Sequence, residues 1–271
     1  MARASAPMDV FITHISTACV LLEIGSVRIL TDPVFDEGER YYSFGYPGIG
    51  ATRLQGPALK PAEIPDLDAM LLSHAHHSDN LDEGGRSLFP RARQIITTIR
   101  DKKYVRDDAI RLRRWGSTTI HGQGGEIITV SATPALHGPC LFPESWRVCG
   151  FVLKWEGQEN GALYISGDTV YFGELREIGD RFDIGTALLH LGAVHFWPPL
   201  PSWFRFTFGS AGAVKMAQLL GLKTLIPIHY EQDVWSHFKE DRASYEGAFQ
   251  DPGVANKVMW LAKGVRTPVV V

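Results

Sequence analysis

The sequence is poor in cysteine, in long apolar runs and in net charge, and each shortage excludes something. Its three cysteines, Cys19, Cys140 and Cys149, are odd in number and irregularly spaced. They offer no disulfide framework and no Cys-based zinc site, and they suit a reducing, cytoplasmic compartment. No stretch approaches membrane-spanning length, and residues 1–9 lack the apolar segment of an export signal, so membrane insertion is not expected. A formal charge of −3 argues against a nucleic-acid partner, which calls for a basic face. The richest basic stretch, Arg91 to Arg114, is interrupted by Asp101, Asp107 and Asp108 and reads as a solvated helix face. Linker-like tracts and repeats are missing too, so residues 1–271 read as a single domain. An apolar share of 45 % beside 21 % charged residues is enough for a stable core. The pattern leaves the oligomeric state open.

What is present is a succession of short apolar runs. Val10 to Ser16, Cys19 to Ile24 and Val27 to Leu30 are rich in β-branched residues, with Gly25-Ser26 between the last two, and predict a hairpin-type opening. Further strands are expected at Ala69 to Ser73, Gln94 to Ile99, Ile127 to Ala132, Cys149 to Trp155, Ala162 to Ser166, Ala187 to Leu191 and Thr224 to Ile228. Leu81 to Leu88, Ala211 to Leu220 and about Glu231 to Phe249 read as helices. Strands interleaved with helices predict two sheets packed face to face with helices outside. Residues 36–66 show no periodicity and carry four aromatics in six residues, which predicts a binding loop or lid.

Metal-seeking side chains recur where these runs end. The densest group, His74-Ala75-His76-His77-Ser78-Asp79-Asn80, puts three imidazoles and a carboxylate at one strand-to-loop junction. His137, Asp168 and His229 each follow a later strand-like run. His74 and His76, two apart, form a pincer on extended or turning backbone, with His137 as natural third ligand. Asp79, Asp168 and His229 make a second, oxygen-richer position, and Asp168 can bridge two ions through its two oxygens. Zn²⁺ suits such donors, as one ion or two, with Mn²⁺ or Fe as alternatives.

With these residues in place the sequence resembles the metallo-β-lactamase superfamily, whose signature is H-x-H-x-D-H followed by an isolated His, a Gly-Asp and a final His after a strand. The likeness extends to the segments 15–25 and 28–35 and to Ile64-Pro65, and is closest to the branch containing ascorbate-phosphate lactonase-like and phospholipase D-like hydrolases. It covers nearly the whole chain. It implies an αββα sandwich, α/β (α+β by some schemes), with the metal site at one edge of two packed mixed sheets, and hydrolysis in most members; fold alone does not fix substrate. The chain departs from the signature inside the cluster. Asp79 lies three residues after His76, and Asn80 stands where the further His falls if one residue is inserted. His77 either takes the missing ligand's place or faces outward.

The expected reaction is hydrolysis of an ester, lactone or amide in a small molecule by a metal-bound hydroxide, with Asp79 orienting it or accepting its proton. A phosphodiesterase or phospholipase-like activity is the first alternative, an iron-dependent oxidative enzyme the second. Asp32 is expected to cap the turn before Pro33 or to support a ligand histidine. His14, Tyr42, Phe44, His195, Trp197, Trp203 and Arg205 are candidate pocket residues, Arg205 for a substrate carboxylate or phosphate. His190 is a weaker pocket candidate, and His121 and His237 read as surface residues.

Overall fold

Apolar residues of one strand serve two cores. In the run Leu67–Leu71, Ala69 and Leu71 join one cluster while Met70 joins another, as the period of two in an extended chain requires. The same division separates Leu188 from Ala187 and Leu189 in the run Ile184–His190. These strands are therefore covered on both faces.

The computed structural model describes residues 7–46, 49–195 and 204–271. Its strands are β1 Val10–Ser16, β2 Cys19–Ile24, β3 Val27–Thr31, β4 Arg40–Tyr46, β5 Ile49–Arg53, β6 Leu67–Leu71, β7 Ala92–Thr98, β8 Ile110–Leu112, β9 Ser117–His121, β10 Ile127–Thr133, β11 Gly150–Lys154, β12 Ala162–Ile165, β13 Ile184–His190, β14 Thr224–Ile228 and β15 Thr267–Pro268. The α-helices are α1 Glu83–Arg86, α2 Arg176–Arg181, α3 Ser210–Leu219 and α4 Arg242–Ala248. One sheet runs β15-β1-β2-β3-β6-β7-β8 and the other β14-β13-β12-β11-β10-β9. The first combines antiparallel β1-β2-β3 with parallel β3-β6-β7-β8; the second is antiparallel from β9 to β12 and parallel from β12 to β14.

Between the sheets lie Ile12, Leu22, Ile29, Leu71 and Ile96 against Val130, Phe151, Leu163, Leu188 and Ile226. Outside the second sheet, Ile178 of α2, Ala213 and Met216 of α3 and Tyr245 of α4 cover Tyr164, Ala187, Leu189 and Leu225. Outside the first, Leu81, Leu88, Val34 and Phe35 cover Leu30, Met70 and Ile95. This is the expected αββα sandwich with short helices. Among the described residues no helix is long and apolar enough to cross a membrane.

Three sequence expectations are corrected. Residues 36–66 contain the hairpin β4-β5 and so are not structureless: Tyr42 is buried and joins a cluster with Trp235 and Phe238, while Tyr41 stays exposed. The basic stretch after β7 is a 3₁₀ turn and the short strand β8, not a helix face, because its apolar residues Ile110 and Leu112 extend the sheet. Leu81–Leu88 and Glu231–Phe249 shrink to α1 and α4, each started where an aspartate caps it: Asp82 accepts from the Gly85 N–H and Asp241 from that of Ser244.

The turn after β7 also holds a buried carboxyl. Burial pushes Asp101 up from the ordinary 3.8 to about 6, against the lowering effect of its hydrogen bond with Thr97. A group whose folded pKa is raised contributes most below its unfolded value, and that stability is lost as pH rises through 6. Asp101→Asn removes the ionisation. It is expected to stabilise the protein at pH 8 by about 1–3 kcal/mol and to leave pH 4 unchanged, read as denaturant midpoints at the two pH values.

Candidate metal centre

The site gathers at the carboxyl ends of β6, β10, β12 and β14, where the chain leaves the sheets. Position 167 must turn sharply there. Gly167 has φ +60, and a Cβ would stand 2.4 Å from the Cys149 carbonyl oxygen, so glycine is required just before Asp168. His229 itself has φ 60, a conformation side chains other than glycine rarely adopt, and its N–H donates to the Thr17 carbonyl at 2.9 Å.

Two groups of donor atoms result: His74, His77 and His137, and Asp79, Asp168 and His229, with the atoms of each within 4.8 Å of one another. His77 Nδ1 lies 3.2 Å from His74 Nε2 and 3.2 Å from His137 Nε2. His77 thus stands with His74 and His137 in one donor group, and the ring of His76, expected to form the pincer with His74, lies beside them, 4.1 Å from that of His77 and 4.8 Å from that of His74. His76 sits beside Tyr104 at a ring separation of 6.3 Å, with Nδ1 buried and without a partner among the described residues.

Hydrogen bonds behind the rings set the tautomers. His137 Nδ1 donates to the Phe206 carbonyl at 2.8 Å and His229 Nδ1 to the Leu191 carbonyl at 3.2 Å. Ser73 Oγ gives its one proton to Asp32 Oδ1 at 3.0 Å and accepts from Asn80 Nδ2, so His74 Nδ1, 3.1 Å away, carries the proton it donates to Ser73. Each of these three rings, when neutral, turns an Nε2 lone pair inward. Asp32 thus acts behind His74 through Ser73, and Asn80 does the same instead of facing the carboxylates.

The carboxylates complete the centre. Asp168 Oδ1 accepts from His190 Nδ1 at 2.8 Å; Oδ2 lies 3.7 Å from His229 Nε2 and 4.0 Å from His74 Nε2, between the two groups. Among the described residues Asp168 Oδ2, Asp79 Oδ1 and His229 Nε2 are buried with no hydrogen-bond partner. Burial works against ionisation of Asp168, but His229 and the His190 hydrogen bond hold its carboxyl well below the ordinary range. Burial likewise opposes ionisation of Asp79, yet the His237 hydrogen bond keeps it low. Burial first, then neighbouring histidines, lowers His74 and His77 and brings His76 to about 3. Lone pairs and carboxylate oxygens packed together without donors repel, and burying them costs several kcal/mol unless a cation lies among them. Donors on a tetrahedral zinc with bonds of ~2.1 Å lie roughly 3.4 Å apart, close to the separations found here. The donor set fits a divalent cation.

Of the candidate pocket residues, Phe44 stands over the centre, its ring 5.2 Å from His77 and 5.7 Å from His237. Phe206 covers His137 at 5.5 Å. Tyr42 lies one layer back, donating to Asp36 at 2.6 Å. His14 does not line the pocket: it is buried behind His229, with Nε2 3.0 Å from the Thr17 carbonyl and 3.4 Å from Glu231. Arg205 is paired with Glu240 at 3.1 Å, so it is not a free anion receptor. His195 is half-buried, its pKa lowered by burial and by Lys239 and Arg205. Trp197 and Trp203 lie outside the described residues. His190 and His237, assigned lesser or surface places by sequence, are fully buried against Asp168 and Asp79. His121 is exposed as expected.

Comparison with known proteins agrees with the geometry. The profile of the beta-lactamase superfamily domain matches residues 27–230. A UPF0173 metal-dependent hydrolase of Methanosphaerula palustris is 29 % identical over 242 residues, 86 % of this chain and 88 % of the relative. The N-acyl-phosphatidylethanolamine-hydrolyzing phospholipase D 1 of Caenorhabditis elegans is 27 % identical over 244 residues, 81 % of this chain and 63 % of the relative. The crystal structure of isothiocyanate hydrolase from Delia radicum gut bacteria superposes with a TM-score of 0.75 at 19 % identity, covering 96 % of this chain and 100 % of that one, a likeness of fold. A matching profile over most of the chain, the αββα layers and two convergent donor groups at the sheet edge lead to one assignment: the chain belongs to the beta-lactamase superfamily and is a metal-dependent hydrolase of the metallo-β-lactamase fold.

Proposed function

We propose that the chain hydrolyses an ester, lactone or amide bond in a small, partly apolar molecule, with zinc held by His74, His77, His137 and Asp168 and a second ion on the side of Asp79, Asp168 and His229. One observation carries the reading: imidazole nitrogens 3.2 Å apart turn toward one another beside a carboxylate oxygen that has no donor. A divalent ion held there would supply Lewis acidity and make water a nucleophile at neutral pH.

The chain's own residues supply the rest. Asp79, ionised at neutral pH, offers its unpartnered Oδ1 as the acceptor for a water proton. Phe44 and Phe206 wall the centre with apolar surface, which excludes bulk water and favours an apolar acyl group. Arg205 is neutralised by Glu240, which weighs against recognition of a free phosphate by that residue.

The test pairs elemental analysis of protein purified without added metal with assays on aryl esters, lactones and bis-aryl phosphates. Stoichiometric zinc, loss of turnover on chelation, and esters or lactones preferred by at least about tenfold are expected. Cleavage of the phosphodiester alone would overturn the bond class in favour of the phospholipase-like alternative. Stoichiometric iron without zinc would count for oxidative chemistry.

A further inference from the structure

We infer that His237, which lies outside the family signature, supplies the nitrogen ligand for the second ion that Asn80 does not; the inference rests on the metal-centre reading above. With one residue inserted, Asn80 stands where the resemblance places a histidine, but its amide donates to Ser73 Oγ at 3.3 Å, on the protein side of His74. That leaves Asp79, Asp168 and His229 as the second donor group, with one imidazole. His237 Nε2 lies 3.0 Å from Asp79 Oδ2, and His229 Nε2 lies 3.9 Å from that same oxygen. Donors sharing one zinc are separated by about this much.

The imidazole is also fixed in place. Trp235, fully buried, donates from Nε1 to Thr17 Oγ1 at 3.0 Å, and the Ser236 N–H donates to the Thr52 carbonyl at 3.1 Å. On the other side, the Lys239 N–H donates to the Gly192 carbonyl at 2.8 Å, and Phe238 packs on the His229 ring at 4.6 Å. Residue 237 is pinned between these anchors and covered by Phe44. Its hydrogen bond to Asp79 requires a proton on Nε2. As a ligand the neutral ring carries that proton on Nδ1, and Nε2 and Asp79 Oδ2 then face the ion together.

Cobalt(II) is the probe, added to the full chain after chelation. Bound cobalt is counted, and the strongly shifted exchangeable N–H signals of coordinated histidines are counted by proton NMR. Wild type is expected to take two ions and show five signals, from His74, His77, His137, His229 and His237. His237→Gln should lose one signal and weaken the second ion by tenfold or more, with the first ion unchanged. Adding Asn80→His to that variant should restore the second ion, which also controls for misfolding. Four signals in wild type that survive His237→Gln would overturn the inference and leave the metal centre standing. So would loss of the second ion in Asn80→Ala but not in His237→Gln. Failure of wild type to bind any cobalt would sink the metal-centre reading, and this inference with it.

Discussion

Asp168→Ala is expected to cut bound metal to less than half an equivalent per chain and to lower turnover by at least about 10³-fold. Asp168 Oδ2 lies within 4.0 Å of an inward nitrogen from each donor group, so its loss opens both positions at once. Elemental analysis reads the effect without any knowledge of substrate. The metal-free fold gives the discriminating control. Removing Asp168 leaves the His190 N–H without its acceptor, which costs about 1–3 kcal/mol. It also removes a buried negative charge that Asp32 and Asp79 both feel. The two effects oppose each other, so the metal-free variant should unfold within about 2 kcal/mol of metal-free wild type. Normal metal content together with a collapsed metal-free fold would show that Asp168 is structural and would defeat the assignment.

The sequence made the strand ends legible because buried strands are largely apolar runs, parallel at β6 and β14 and antiparallel at β10, and the metal-seeking residue just beyond each run is conspicuous. His74, His137, Asp168 and His229 were visible for that reason. The choice between His76 and His77 was not settled by the same logic, since counting forward from His74 favours the first and counting back from Asp79 favours the second. The structure places His77 in the convergence. His237 could not be seen at all: it follows no strand, and its position is fixed by Trp235, Ser236 and Lys239 bonding to residues 17, 52 and 192. The hairpin β4-β5 escaped for a related reason. Its buried aromatic, Tyr42, finds its partner in Trp235, almost two hundred residues onward, and local periodicity carries no record of that contact.

Arg53→Met is expected to destabilise the protein by about 3–5 kcal/mol, because it leaves a buried carboxylate without its counter-charge. Arg53 is fully buried. Its Nη1 donates to Asp82 Oδ2 at 2.9 Å, Nε to the Gln55 carbonyl at 3.0 Å, and the guanidinium lies 5.9 Å from the Trp235 ring. Asp82 keeps the N–H groups of Asp36 and Gly85 as donors, and burial already pushes its pKa up. Adding Asp82→Asn should recover part of the loss: a neutral amide still caps α1 through its oxygen, but its Nδ2 faces the Asp36 N–H, which is left without an acceptor. Urea midpoints of the two single variants and the double variant give the coupling directly. The consequence extends to the site. Arg53 closes β5 onto the segment that carries Trp235 and His237, and the same hairpin brings Phe44 over His77. At a temperature where Arg53→Met is still folded, the hairpin should sit less firmly. With metal in excess, KM should then rise by more than kcat falls, because Phe44 walls the pocket while His74, His77, His137, Asp79, Asp168 and His229 stand elsewhere, and only the inferred ligand His237 is anchored to this hairpin. A fall in kcat with KM unchanged would place the hairpin in the chemistry instead of in the binding of substrate.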